Sequence, residues 1–164
     1  RPVAGLPLAS TRAPHVVEFP SEDESSGLVL LGWRGPNYAD FSARAQLDLL
    51  WTYLTGSAAS PLTKQLVESE EAVCTGLFVE EKKYRLGSFV LWAEDVEFDA
   101  METLPGRVDQ ILKAELANGI DLGRMRDVIG LERRKYKASI EDRPGDTLLD
   151  PLIEHYLYGD RFGG

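Results

Sequence analysis

Two β-prone runs lie almost end to end in the middle of the chain: AVCTGLFVE, residues 72–80, and RLGSFVLWAED, residues 85–95. The polar link between them, EKKY, is only four residues long. Parallel strands need a crossover of roughly a dozen residues or more, so this link closes an antiparallel hairpin. Whatever the chain folds into must be built around that hairpin.

The flanking pattern extends the sheet and adds helices. HVVEF (15–19) and LVLLGW (28–33) read as two further strands around the polar turn PSEDESSG, the second ending at RGPN. From Tyr38 to Leu54 the spacing of Ala43, Leu47, Leu50, Trp51 and Leu54 is helical, with Gly56 where a C-terminal cap belongs. Ser60 before Pro61 marks another start, Ser supplying an acceptor for free N–H groups and Pro sacrificing no hydrogen bond at the first position. This helix is brief, ending near Ser69, and Glu68, Glu70 and Glu71 read as its solvated end. Asp99 and Glu102 form a capping-box pattern before Leu104, Val108, Ile111, Leu112, Glu115 and Leu116, with Pro105 expected to kink or restart the helix. Asp121 opens a helix carrying Met125, Ile129, Tyr136 and Ile140, with ERRKYK on its exposed side, and TLLDPLIEHYLYG (147–159) reads as a last one.

The predicted order is therefore β-β-α-α-β-β-α-α-α. Strands in hairpins with helices between them predict an α+β domain, an antiparallel sheet with helices packed on one face, rather than a doubly wound parallel sheet. Residues 1–14, interrupted by Pro2, Pro7 and Pro14, read as a lead or linker, and residues 15–164 as a single α+β domain. The chain begins with Arg1 rather than an initiator Met, and the expectation is a piece of a longer polypeptide.

Composition narrows the partners. With 27 acidic against 18 basic side chains, the net charge of -9 opposes the phosphate neutralisation that drives nucleic-acid binding. Nothing approaches the run of about 20 apolar residues that a membrane span needs, and the start has no signal-peptide apolar block, so the expectation is a soluble protein without a membrane partner. A single cysteine, Cys74, leaves no internal disulfide and fits an intracellular setting, cytoplasmic or mitochondrial.

Chemistry is harder to find. The two histidines each sit in half of a zinc motif: HVVEF puts Phe19 where H-x-x-E-H needs its second His, and PLIEH puts Pro151 where it needs its first. A zinc peptidase needs three protein ligands and an open position for water, so neither half suffices and no metal ligand or catalytic residue is assigned. Cys74 lies in a β run and reads as a small buried side chain. G-x-S-x-G, G-x-G-x-x-G and the P-loop pattern are absent. Trp33, Trp51 and Trp92 fall in apolar patterns and are expected in the core.

The layout from LVLLGWRGPNYAD through the helix SARAQLDLLWTYL, the SPL…L helix and the hairpin resembles the pitrilysin, or inverzincin, family of zinc peptidases. The end, MRDVIGLERRKYKASIEDRPGDTLLDPLIEHYLYGD, is similar to the close of the same module in presequence-protease-like members. That resemblance implies four homologous α+β domains forming two halves around a closed chamber, with H-x-x-E-H and zinc in a separate catalytic domain of the parent and no cofactor in this chain. Some family domains grip substrate with an Arg and, seven residues on, a Tyr; the matching places here are Val67 and Cys74, which cannot hydrogen-bond a peptide carbonyl in that way. The resemblance thus implies a non-catalytic, chamber-forming and substrate-binding domain, the second in its parent, whose partners are other domains of the same polypeptide and peptide substrates. It places peptide contact at Gly76, Leu77 and Phe78, where a substrate would join the sheet as an added strand. Two alternatives stand beside it: a structural core-type subunit that has lost peptidase activity, and an unrelated α+β protein-binding module.

Overall fold

The computed structural model describes residues 14–18, 20, 25–37, 40–82 and 86–158. Its elements are β1 (Ser26–Asn37), α1 (Phe41–Thr55), α2 (Pro61–Leu66), β2 (Gly76–Lys82), β3 (Leu86–Glu97), α3 (Phe98–Met101), α4 (Leu104–Asn118), α5 (Leu122–Asp142) and α6 (Pro144–Tyr158). The strands form one sheet in the order β1-β3-β2, antiparallel at both junctions.

Because side chains alternate along a strand, the pairing sorts the sheet into two faces. Val29 and Leu77 flank Ala93, Leu31 and Val79 flank Leu91, and Trp33 and Glu81 flank Phe89. Phe89, Leu91 and Ala93 are each 1% exposed, so this is the face that meets the helices. There Trp51 and Leu54 of α1, Leu62 and Leu66 of α2, and Leu104, Val108 and Ile111 of α4 complete one core. Burying each such Leu or Ile contributes about 1.5–3 kcal/mol. The helices of the core therefore cover a single face, the α+β arrangement that the sequence predicts.

Alternation on β3 survives a bulge. Ala93 pairs with Val29 and Val96 with Gly27, so Glu94 and Asp95 oppose the single residue Leu28. Asp95 takes up the extra residue at φ 50, a left-handed conformation that Asp tolerates better than most. The shift in parity is what returns Val96, fully buried, to the core side. A second irregularity lets β1 run on through RGPN: Gly35 and Pro36 oppose Gly87, and a Cβ on Gly87 would stand 2.8 Å from the Pro36 carbonyl oxygen. Pro36 is tolerated because β1 is an edge strand.

Caps explain the helix boundaries. Asp40 accepts from Ala43 N at 3.0 Å and Asp121 from Gly123 N at 2.8 Å. Ser60 does not cap α2; its Oγ accepts from Ser57 N at 3.0 Å and from Arg124 Nη2 at 2.7 Å. Pro61, at the first turn, needs no partner for a missing N–H. Arg124 also donates to the Tyr53 carbonyl at 3.1 Å and lies 4.8 Å from the Tyr53 ring, fastening α5 to the α1–α2 corner.

Several expectations change. Residues 15–18 of the HVVEF run form no strand, with Val16 90% and Val17 76% exposed, since nothing in the sheet pairs with them. Phe19 and residues 21–24 lie outside the described residues, as do 1–13 of the lead, Lys83 and Tyr84 of the hairpin link and Gly159 of the last helix. α2 stops at Leu66, short of Ser69. The capping box does not form, because Asp99 is inside the short α3 and Pro105 restarts the chain as α4. Trp92 leaves the core, and Ile129, Tyr136 and Leu116 point away from it.

Candidate functional site

The edge strand β2 begins where the α2 turn hands the chain to the sheet. Val73 N donates to Leu66 O at 2.9 Å and Thr75 N to Glu94 O at 3.0 Å, so the strand enters in fixed register beside β3. Among the described residues β2 pairs only with β3, leaving its other edge without a strand. The backbone groups of an edge strand are a template for another extended chain.

The predicted residues separate by face. Gly76 pairs with Glu94 and Phe78 with Trp92 on the side of the sheet away from the core, whereas Leu77, opposite Ala93, packs against the core. Phe78 is 43% exposed and stacks on Trp92 with ring centroids 5.6 Å apart and planes 10° off parallel. Lys82 Nζ stands 5.7 Å from the Trp92 ring, in cation–π range, and Leu30 extends the apolar row on β1. Gly76 keeps this row open: a Cβ there would come within 2.6 Å of a Glu94 carboxylate oxygen. Backbone hydrogen bonding and aromatic contact are the chemistry the edge offers.

Trp92 and Lys82 join the site unannounced by the sequence. The signal was in parity: Phe89, Leu91 and Ala93 are the inward set, which puts Trp92 on the opposite side of the same strand.

Other reactive groups sit elsewhere. Cys74 is 5% exposed, its Sγ donates to the Leu66 carbonyl at 3.4 Å, and burial pushes the thiol above its usual range. Val67 is the C-cap of α2. Glu70 and Glu71 line a shallow polar cavity with Gln65, Ser69 and Arg107, where Arg107 donates to the Glu71 carbonyl at 3.1 Å; the acids are the exposed rim of a turn. His15 is exposed in an irregular segment and His155 is half-buried on α6, with Pro151 one turn earlier. Among the described residues no three His, Cys, Asp or Glu side chains gather as metal ligands would, so the donors present do not fit a zinc centre.

Residues 2–104 match the family described as the Peptidase M16 inactive domain. The chain belongs to the M16, or pitrilysin, peptidase family. It is a non-catalytic domain type of that family. Two relatives of this M16 domain are uncharacterized proteins of Schizosaccharomyces pombe, 31% identical, and Saccharomyces cerevisiae, 29% identical, each over 147 residues. Both matches cover 90% of this chain but 14% of the relative. The same fold occurs in the crystal structure of a protease from Helicobacter pylori, with a TM-score of 0.63 and 17% identity over 80% of this chain and 31% of that one. Among the described residues no helix of the M16 domain is long and apolar enough to cross a membrane.

Proposed function

We propose that this M16 domain is a chamber wall and peptide-binding surface of a zinc-dependent metallopeptidase, with zinc and the cleavage chemistry in a separate domain of the same polypeptide. Gly76, Leu77 and Phe78 receive the peptide as a strand added to β2: main-chain groups hold its backbone and the Phe78–Trp92 pair contacts one of its side chains. The observation that carries the reading is the position of β2 at the sheet edge, joined on one side only among the described residues. Family membership and the one-faced helix layer support it, because the open face and edge are where a wall would meet its contents. An intracellular setting belongs to the same proposal and rests on the lone, buried Cys74.

Gly76→Val and Phe78→Asp in the full-length protein test it. Gly76 has no left-handed backbone and the Glu94 side chain beside it is exposed and able to swing, so Gly76→Val is compatible with folding. Both variants should weaken peptide binding by about tenfold, as expected for the loss of one good contact of about 1.4 kcal/mol. Unchanged affinity in both removes β2 from the binding surface.

A further inference from the structure

Helix α6 turns its apolar side outward. Among its described side chains Thr147, Pro151 and His155, four residues apart, are half-buried, whereas Leu148, Leu149, Leu152, Ile153 and Tyr156 are exposed, Tyr156 by 88%. Those five share one side of a helix. The side that meets α5 is the polar one, where Thr147 Oγ1 donates to the Ser139 carbonyl at 2.9 Å. On α5 a second apolar line, Leu122, Ile129 and Tyr136 at seven-residue spacing, is also exposed.

Charge marks the same hairpin. Residues 124–137, Arg124 and Lys137 included, carry six of the chain's 18 basic side chains against two acids, in a chain whose net charge is -9. Arg126, Arg133, Arg134 and Lys137 are exposed, and among the described residues none of the four makes an ion pair. Arg126, Arg133 and Lys137 follow one line beside the apolar one.

We infer that the α5–α6 hairpin is a docking surface for an apolar face rimmed with carboxylates, belonging to the part of the polypeptide outside these 164 residues. The inference rests on the reading above that the chain works as one domain among several. A run of exposed apolar side chains rimmed by charge is the surface that an interaction site presents. Unneutralised cations beside it select an acidic rim, and like-charged surfaces are rejected. The matched segment covers only 14% of each relative, so most of such a polypeptide is available to supply the face.

The test is zero-length carbodiimide cross-linking of the full-length protein, which joins a Lys amine directly to a carboxylate, followed by peptide mapping. Lys135 and Glu132, 2.7 Å apart, provide the internal control. Lys137 should couple to Asp or Glu outside residues 1–164 at a yield independent of protein concentration. Arg126→Gln with Arg133→Gln, which removes two cations without adding a carboxylate beside Lys137, should lower that yield by about fivefold or more. The inference falls if the control product forms while Lys137 couples only within the segment, or if its products join two copies and rise with concentration. Unchanged peptide affinity in both Gly76→Val and Phe78→Asp, with the Lys137 product intact, would remove the substrate reading alone.

Discussion

Arg44 of α1 and Glu81 of β2 meet in a two-pronged ion pair, Nε to Oε1 at 2.7 Å and Nη2 to Oε2 at 2.9 Å, with side-chain exposures of only 10% and 18%. The pair ties the edge strand to the helix layer on the side where, among the described residues, the sheet has no further strand. Planar, bidentate geometry makes it one of the stronger side-chain contacts available. Glu81→Ala takes the bidentate carboxylate away from a largely buried guanidinium and should cost about 2–4 kcal/mol of stability. Replacing both partners by Arg44→Met and Glu81→Leu should recover more than half of that loss, measured by urea denaturation followed through tryptophan fluorescence.

Asp48, one turn along α1 from Arg44, has its carboxyl pushed above the ordinary 3.8 by burial first, then by Glu81 and Glu132, against a smaller opposing pull from Arg44. A carboxyl with a raised folded-state pKa favours folding when protonated, so its ionisation destabilises as pH rises above 3.8 through the folded value. Asp48→Asn should therefore raise the unfolding temperature at neutral pH, and the gain should vanish below 3.8. The residue is exposed to solvent, so the effect should be under about 1 kcal/mol. Thermal melts of the two proteins across pH 3 to 8 read the sign, and a gain that grows on acidification contradicts it.

Asp95 holds the β3 bulge at φ 50 and accepts a hydrogen bond from Thr75 Oγ1. Asp95→Gly trades that bond for a relaxed backbone and should change stability little. Asp95→Val forces a β-branched side chain into the left-handed region and should cost about 1–2 kcal/mol. Equal denaturation midpoints for the two variants would show that the bulge is not held this way.

Cys74 should resist alkylation in the native protein. It is buried, its Sγ is bonded to the Leu66 carbonyl and burial disfavours its thiolate, the reactive form. Iodoacetamide labelling followed by mass spectrometry should proceed only on unfolding, with the rate rising together with urea concentration; fast native labelling would refute the packing.

What the sequence displays of this fold follows from contacts that are local. The β2–β3 hairpin was legible because four link residues leave no alternative, and α1 because Leu47, Leu50, Trp51 and Leu54 mark its core-facing side at helical spacing. HVVEF has the composition of a strand, but among the described residues no strand lies beside 15–18, and β propensity without a partner edge fixes nothing. Trp92 looked like core because its apolar run conceals which parity faces inward, a choice made by packing against α1 and α4. Ile129 and Tyr136 have helical spacing too, yet the side of α5 that meets the core carries Met125 and Val128. Of the candidate site, Gly76, Leu77 and Phe78 could be placed on a strand; that this strand is the sheet edge depends on β1 joining β3 on the far side, a long-range pairing with no local signature.

Backbone methylation of the ligand tests the peptide-binding claim most directly. An array of overlapping peptides is bound to the full-length protein, beside the same array N-methylated at alternate residues, which removes the N–H groups an added strand must donate while sparing its side chains. Strand addition to β2 predicts that binding peptides lose affinity in one methylation register and keep it in the other. Equal binding in both registers, with sensitivity only to side-chain changes, would contradict it.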